Sequence, residues 1–147
     1  MYLKSTLGEI SVNPLIMNNS NFTSLTAYNK AFTLAMEIFE ISKTFPKEER
    51  YGLTSQIRDS SRSVCSSIGE ANRKRQYPAH FVSKSSDGDS ENTETRVWLD
   101  FALSCFYITE NAWEKLESKV DEVGRLLSRT SNSIRYKIVN CQLFIVN

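Results

Sequence analysis

The residues of this chain whose types and spacing could do chemistry are arginines and lysines, and they are concentrated in one stretch. Residues 50–84 contain seven basic and two acidic side chains. Guanidinium and ammonium groups neutralise nucleic-acid phosphates and release bound counterions, so this stretch predicts a surface that contacts RNA or DNA. The candidate nucleic-acid-binding residues are Arg58, Arg62, Arg73, Lys74, Arg75 and Lys84.

An excess of the opposite sign follows directly in the sequence. Residues 85–122 contain three basic and ten acidic side chains. Matching blocks of opposite charge also arise when two helices pair with each other or with a neighbouring subunit, so a protein-binding scaffold without a nucleic-acid role is the alternative interpretation. A stripe that is acidic at its start and aromatic at its end predicts an oligomer interface, formed by Asp87, Glu91, Glu94, Trp98 and Phe101.

The sequence lacks the usual signatures of an enzyme. His80 is the single histidine, and no glutamate stands three residues before it, as the Glu-x-x-His ligands of a carboxylate-bridged metal bundle require. No glycine-rich phosphate loop occurs. The three cysteines, Cys65, Cys105 and Cys141, are odd in number and have no metal or redox spacing. We therefore predict no catalytic residue, no metal and no cofactor.

Composition indicates one globular domain. Of the 147 residues, 40% are hydrophobic and 24% are charged, which is ordinary for a globular protein. No apolar run is long enough to span a bilayer. The first 24 residues contain no compact apolar block of the signal-peptide type. The expected location is the cytoplasm.

Four stretches have the apolar period of a helix. They predict helices over Ser24–Lys43, Tyr51–Gln76, Pro78–Tyr107 and Glu110–Arg129, with Ser24 and Thr109 as N-caps. Four helices with short connections predict an all-α, antiparallel up-down four-helix bundle. The expected division is an irregular segment over residues 1–23, the bundle over 24–130, and a tail over 131–147 whose structure the pattern leaves open and whose apolar end is strand-like.

Each predicted helix has a seam of residues that should face the core. The seam of the third helix is unusually small and polar in its first half, which predicts either a tight helix crossing or a hydrogen-bonded polar layer. In chain order the seams are Leu25, Tyr28, Phe32, Ala35 and Phe39; Leu53, Ile57, Val64, Ile68 and Ala71; Phe81, Ser85, Gly88, Asn92, Thr95, Leu99, Ala102 and Phe106; and Trp113, Leu116, Val120, Val123 and Leu127.

One motif is distinctive. Residues 45–58 read F-P-x-x-E-x-Y-G-L-T-S-Q-I-R, and Ser63-Val64 and Glu70 follow. Together with RKRQYPAHFVSK at 73–84 and ETRVWLDFALSC at 94–105, this motif resembles the four-helix-bundle proteins related to the 23S rRNA-intervening-sequence protein. The chain has Ser67-Ile68-Gly69-Glu70 where such proteins usually have Asn-Ile-Ala-Glu, and its apolar tail is unlike theirs.

The resemblance implies a small intracellular bacterial protein that assembles as a ring, commonly a homopentamer. Some relatives resemble the accessory protein of diversity-generating retroelements, which binds nucleic acid and a reverse transcriptase through basic surfaces. The resemblance brings no catalytic residue with it. The expected partners are therefore further copies of this chain, RNA or DNA, or another protein, and not a membrane.

Overall fold

The computed structural model describes the backbone of residues 25–145 and the side chains of residues 25–136. The predicted irregular segment over 1–23 lies outside the described residues. Between 25 and 145 the regular elements are all helical: α1 (Thr26–Ile41), α2 (Leu53–Arg73), α3 (Pro78–Ser104) and α4 (Glu110–Ile145), with 3₁₀ turns at Ser42–Thr44 and Lys47–Glu49 between α1 and α2.

The four helices form a bundle around one apolar core. α1 packs against α2 and α4, and α3 packs against the same two neighbours. The most deeply buried apolar side chains come from all four helices, so the core is continuous along the bundle. None of the described helices has the length and apolar content needed to cross a membrane.

The seam of α2 is confirmed. All five of its predicted apolar residues, from Leu53 to Ala71, are buried. Pro46 stands before the 3₁₀ turn Lys47–Glu49, and Glu49 supports the start of α2, because its Oε2 accepts the Leu53 N–H at 2.9 Å. A carboxylate at a helix N-terminus also complements the positive end of the helix dipole.

The seam of α1 is confirmed only in part. The predicted Ala35 is buried, and the predicted Leu25 and Tyr28 are partly buried against the core. The other buried residues are Ala31, Leu34 and Ile38, whereas Phe32 and Phe39 are only half-buried. Phe32 stacks on Tyr28 at 5.9 Å between ring centroids. The helix begins at Thr26 with Leu25 in the N-cap position, so the predicted cap, Ser24, which lies outside the described residues, is one position too early.

α3 ends earlier than predicted, and Phe106 does not face the core. Its φ angle is 61°, and its side chain is 92% exposed. The Phe106 N–H donates to the Leu103 carbonyl and the Tyr107 N–H to the Ala102 carbonyl, both at 2.9 Å. These two bonds form the Schellman motif that closes a helix with one left-handed residue, a position that glycine usually occupies.

The polar half of the α3 seam is buried, as predicted, and both proposed explanations apply. The Thr95 hydroxyl lies 3.0 Å from Ser60 Oγ of α2, and Asn92 Nδ2 donates to the Val120 carbonyl of α4 at 2.9 Å. A Cβ added at Gly88 would lie 3.2 Å from Ser67 Cβ. α2 and α3 therefore cross closely at Gly88, and buried hydrogen bonds further along α3 join it to both α2 and α4.

The predicted start of α4 is confirmed, and its predicted end is wrong. The Ala112 N–H donates to Thr109 Oγ1 at 3.2 Å, as an N-cap requires. The helix runs to Ile145 instead of ending near Arg129, and the tail is helical where a strand-like end was expected. No glycine or proline follows Gly124, and the serines, threonine and asparagines after it cost only a few tenths of a kcal/mol each, roughly, in a helix.

Candidate nucleic-acid interface

Three of the six predicted cations lie at the turn between α2 and α3. Arg73 is the last residue of α2, and Lys74 and Arg75 follow it before Pro78 opens α3. All three are exposed. Their side chains form no ion pair or hydrogen bond within the part of the chain that the structure describes. We call Arg73, Lys74 and Arg75 the turn cluster.

Lys84 is placed differently. Its Nζ lies 2.9 Å from Glu70 Oε2 on α2 and 3.3 Å from Asp87 Oδ2 on its own helix. The hydrogen bond with Glu70, and after it the one with Asp87, raises the pKa of Lys84. Its charge is already compensated inside the chain, so it is not a free phosphate-binding group.

Arg58 and Arg62 lie on the flank of α2 that packs against α1. The Arg58 and Arg62 guanidinium carbons stand 4.9 and 5.7 Å from the centre of the Phe39 ring, and Lys43 Nζ stands 4.6 Å from it. We call Lys43, Arg58 and Arg62 the Phe39 cluster. The structure thus divides the predicted basic surface into two separate sites and one internal ion pair.

α4 contributes further basic residues, which the sequence pattern did not single out. Arg125, Arg129 and Arg135 are exposed and have no ion-pair partner between residues 25 and 136. A cavity of about 270 Å³ is lined by Arg75 from one side and by Thr130 of α4 from the other. The sequence signal was the lack of acidic residues after Glu122, which the expected end of the helix near Arg129 obscured.

A polar groove between α3 and α4 contains arginine and aspartate side chains together. It has a volume of about 430 Å³ and is lined by Arg125 and Arg129 on α4 and by Asp89 and Asn92 on α3. Arg96, also in the groove, is paired with Glu117 and Asp121. Serine and asparagine side chains at Ser128 and Asn132 add hydrogen-bond donors of the kind that contact phosphate oxygens.

The predicted oligomer stripe lies along one side of α3. Burial raises the pKa of Glu91, and the nearby Glu94 and Asp87 carboxylates raise it further. Glu94 accepts the Trp98 indole N–H at 3.0 Å. Phe101 is 53% exposed, with its ring 5.8 Å from that of Trp98. Of the three acids, only Asp87 has a cation beside it within the described residues.

Metal ligation finds no support in this geometry. Within the described residues, no three histidine, cysteine or acidic side chains lie together as a metal site would require. His80 packs edge-on against Tyr77, with 6.1 Å between ring centroids. The charged surfaces are therefore the candidate functional site.

The fold and its surfaces define a class: an all-α four-helix bundle with segregated basic and acidic faces. The sequence model of the 23S rRNA-intervening sequence protein family matches residues 23–129 of the chain. The chain belongs to this family.

A solved structure shares the fold. It is the crystal structure, at 1.70 Å resolution, of a protein with unknown function from the S23 ribosomal protein family of Bacteroides thetaiotaomicron VPI-5482. The two sequences are 25% identical, the TM-score is 0.66, and the similarity covers 72% of this chain and 95% of that one. No curated protein matches the chain.

Proposed function

We propose that this protein is a non-catalytic accessory protein that binds RNA or DNA through the phosphates. The observation that carries the proposal is the turn cluster, where Arg73, Lys74 and Arg75 are adjacent, exposed and unpaired among the described residues. Three successive residues at a helix end point in different directions, so one neighbouring acidic surface cannot satisfy all three. A flexible polyanion can contact all three side chains.

The arginines of α4 support the same assignment. Arg129 and Arg135 belong to a helix segment with no acidic residue after Glu122, and Arg75 shares a cavity with Thr130 of that segment. Arg75 therefore lies close to the α4 segment that contains Thr130, although the two are far apart in the sequence. Such a concentration of cations steers a polyanion to the surface.

Assembly forms the second part of the proposal. The connections between successive helices are short, and contacts between α3 and α4 pair later residues of one with earlier residues of the other, as in Asn92 with Val120 and Asp100 with Trp113. These pairs support an antiparallel up-down bundle. We propose that such bundles form a ring, with five copies as the family resemblance implies, so that repeated turn clusters raise the avidity for one nucleic acid.

A scaffold without a nucleic-acid role is the second candidate function. The Phe39 cluster and Lys84 favour it, because both engage cations with groups other than phosphate. The two candidate functions predict different effects of salt on the affinity for added RNA or DNA. Counterion release makes the affinity of a nucleic-acid complex fall steeply with salt, and a scaffold shows no such binding.

The test of the nucleic-acid function replaces the turn cluster by glutamine. The Arg73→Gln/Lys74→Gln/Arg75→Gln variant and the wild type are titrated against a labelled single-stranded RNA by fluorescence anisotropy, between 50 and 200 mM salt on the scale at which such binding changes strongly. If each residue contacts one phosphate, the slope of log K against log salt should become shallower by roughly 2. The loss of affinity should be largest at low salt.

A matched control removes the same number of charges elsewhere. Lys47, Arg50 and Lys115 are exposed and have no ion-pair partner among the described residues, so the Lys47→Gln/Arg50→Gln/Lys115→Gln variant has the same net charge as the test variant. We expect its salt slope to stay near that of the wild type. Equal losses in both variants, or no binding by the wild type at low salt, would contradict the proposal.

A further inference from the structure

The Phe39 cluster brings three cations to one ring. Lys43, Arg58 and Arg62 lie 4.6, 4.9 and 5.7 Å from the centroid of Phe39. Each cation gains about 0.5 to 1 kcal/mol from an aromatic face at an exposed site, but the three also repel one another. Glu40 neutralises only Lys43, with Nζ at 2.8 Å from its Oε1. The cluster therefore has an excess of positive charge.

The position of Arg58 is fixed from inside the protein. Its Nε donates to Ser42 Oγ at 2.7 Å, and the Ser42 hydroxyl donates in turn to the Phe39 carbonyl at 3.0 Å. Ser42 is itself 2% exposed. A guanidinium that is stacked on a ring and held at Nε keeps its two terminal nitrogens free in a fixed plane, which is the arrangement that binds a carboxylate through two hydrogen bonds.

The acidic stripe on α3 has the complementary features. Glu91 and Glu94 have no cation beside them among the described residues, and their mutual repulsion contributes to the raised pKa of Glu91. Phe101, half-exposed beside Trp98, provides apolar area next to the carboxylates. Each surface therefore combines crowded charges of one sign with an aromatic ring.

We propose that the Phe39 cluster of one copy binds the acidic stripe of a second copy, with Arg58 and Arg62 paired to Glu91 and Glu94. The proposal rests on the homo-oligomer proposed above and names its contact. It also assigns Arg58 and Arg62 to self-association, which is one of the two interpretations that the sequence left open for the basic residues.

The contact is heterologous, because it joins two different surfaces. The Phe39 cluster is formed by α1 and α2, whereas the stripe belongs to α3. Each copy can therefore use both surfaces at once. Heterologous contacts generate rings when the rotation between copies closes, and the two surfaces flank the same helix, α2, on neighbouring sides of the bundle.

Charge exchange tests the contact. The Arg58→Glu/Arg62→Glu variant and the Glu91→Lys/Glu94→Lys variant each place like charges opposite one another, and we expect each to raise the dissociation constant of the assembly at least about tenfold, as like-charge juxtaposition does. The variant with all four substitutions restores the complementarity with the signs reversed. Sedimentation velocity at micromolar concentration should show smaller species for the first two variants and the wild-type assembly for the third.

The control exchange is Lys47→Glu/Arg50→Glu, which reverses two exposed charges outside the Phe39 cluster and should leave the assembly intact. Unchanged assembly in both test variants would overturn the contact, as would a folded four-substitution variant that stays dissociated. A wild type that sediments as a monomer would overturn the contact and the proposed oligomer together, while leaving the nucleic-acid test unaffected.

A second measurement uses the unmodified protein and does not depend on whether the variants fold. Equal amounts of ¹⁴N- and ¹⁵N-labelled wild type are mixed and treated with a zero-length carbodiimide cross-linker. Peptides joining Lys43 to Glu91 or Glu94 should carry mixed isotopes, which shows that the link is between copies. A lack of such mixed peptides, when other links between copies are found, would contradict the proposal.

Discussion

Replacing Leu99 by alanine is expected to lower the free energy of unfolding by about 3 to 4 kcal/mol. Leu99 lies in the middle of the core, with 0% of its surface exposed, and it belongs to the same apolar cluster as Val64 of α2 and Val120 of α4. Truncation loses the transfer free energy of the removed carbons and leaves a cavity that these helices cannot fill without moving. Urea unfolding followed by circular dichroism measures the change.

Val97 provides the matched control on the same helix. It is 44% exposed, so Val97→Ala should change the free energy of unfolding by less than about 0.5 kcal/mol. Both variants must be compared at one protein concentration, since assembly adds to apparent stability. Similar losses for Leu99→Ala and Val97→Ala would contradict the assignment of the core face of α3.

Replacing Gly88 by leucine is the second large effect, with an expected loss of about 3 kcal/mol from overpacking. A Cβ at this position would lie 3.2 Å from Ser67 Cβ and 3.8 Å from Leu127 Cδ1. The Ser67 Cβ is attached directly to the α2 backbone, so a larger side chain can be accommodated only by separating α2 from α3. Thermal unfolding of the variant should show a lowered midpoint.

Two further variants isolate the packing effect. Ser86 is exposed on the same helix, so Ser86→Leu tests the added side chain without the clash and should be nearly neutral. Gly88→Ala gains about 1 kcal/mol in helix propensity, which the tight contact with Ser67 offsets. A stable Gly88→Leu variant would show that α2 and α3 do not approach closely at this point.

The seam of α2 could be predicted from the sequence because its apolar residues recur at helical spacing among polar ones. Most of the α3 seam followed from extending the face of Leu99 through small and polar residues. α1 was harder, since apolar and aromatic residues cover more than one face of it. Whether Ile38 or Phe39 faces the core depends on which helix covers each side of α1. Two of the cations over the Phe39 ring, Arg58 and Arg62, come from α2. Local periodicity does not contain that information.

The same limit applies to the charged residues. The sequence identifies Lys84 and Arg73 as equally basic, but Lys84 meets Glu70 across the α2–α3 contact, whereas Arg73 has no acidic partner within reach among the described residues. Arg135 of α4 was missed because a run of serines and threonine after Arg129 suggested the end of a helix that in fact continues to Ile145.

We propose different tasks for the two basic surfaces: the turn cluster binds nucleic acid, and the Phe39 cluster binds another copy. Each surface contains one lysine, Lys74 in the turn cluster and Lys43 in the Phe39 cluster. The rates at which their amines are acetylated, measured by mass spectrometry on the assembled wild type with and without a single-stranded RNA, therefore report on the two surfaces separately. We predict that RNA slows the acetylation of Lys74 and leaves that of Lys43 unchanged; slower acetylation of Lys43 with no change at Lys74 would contradict the account.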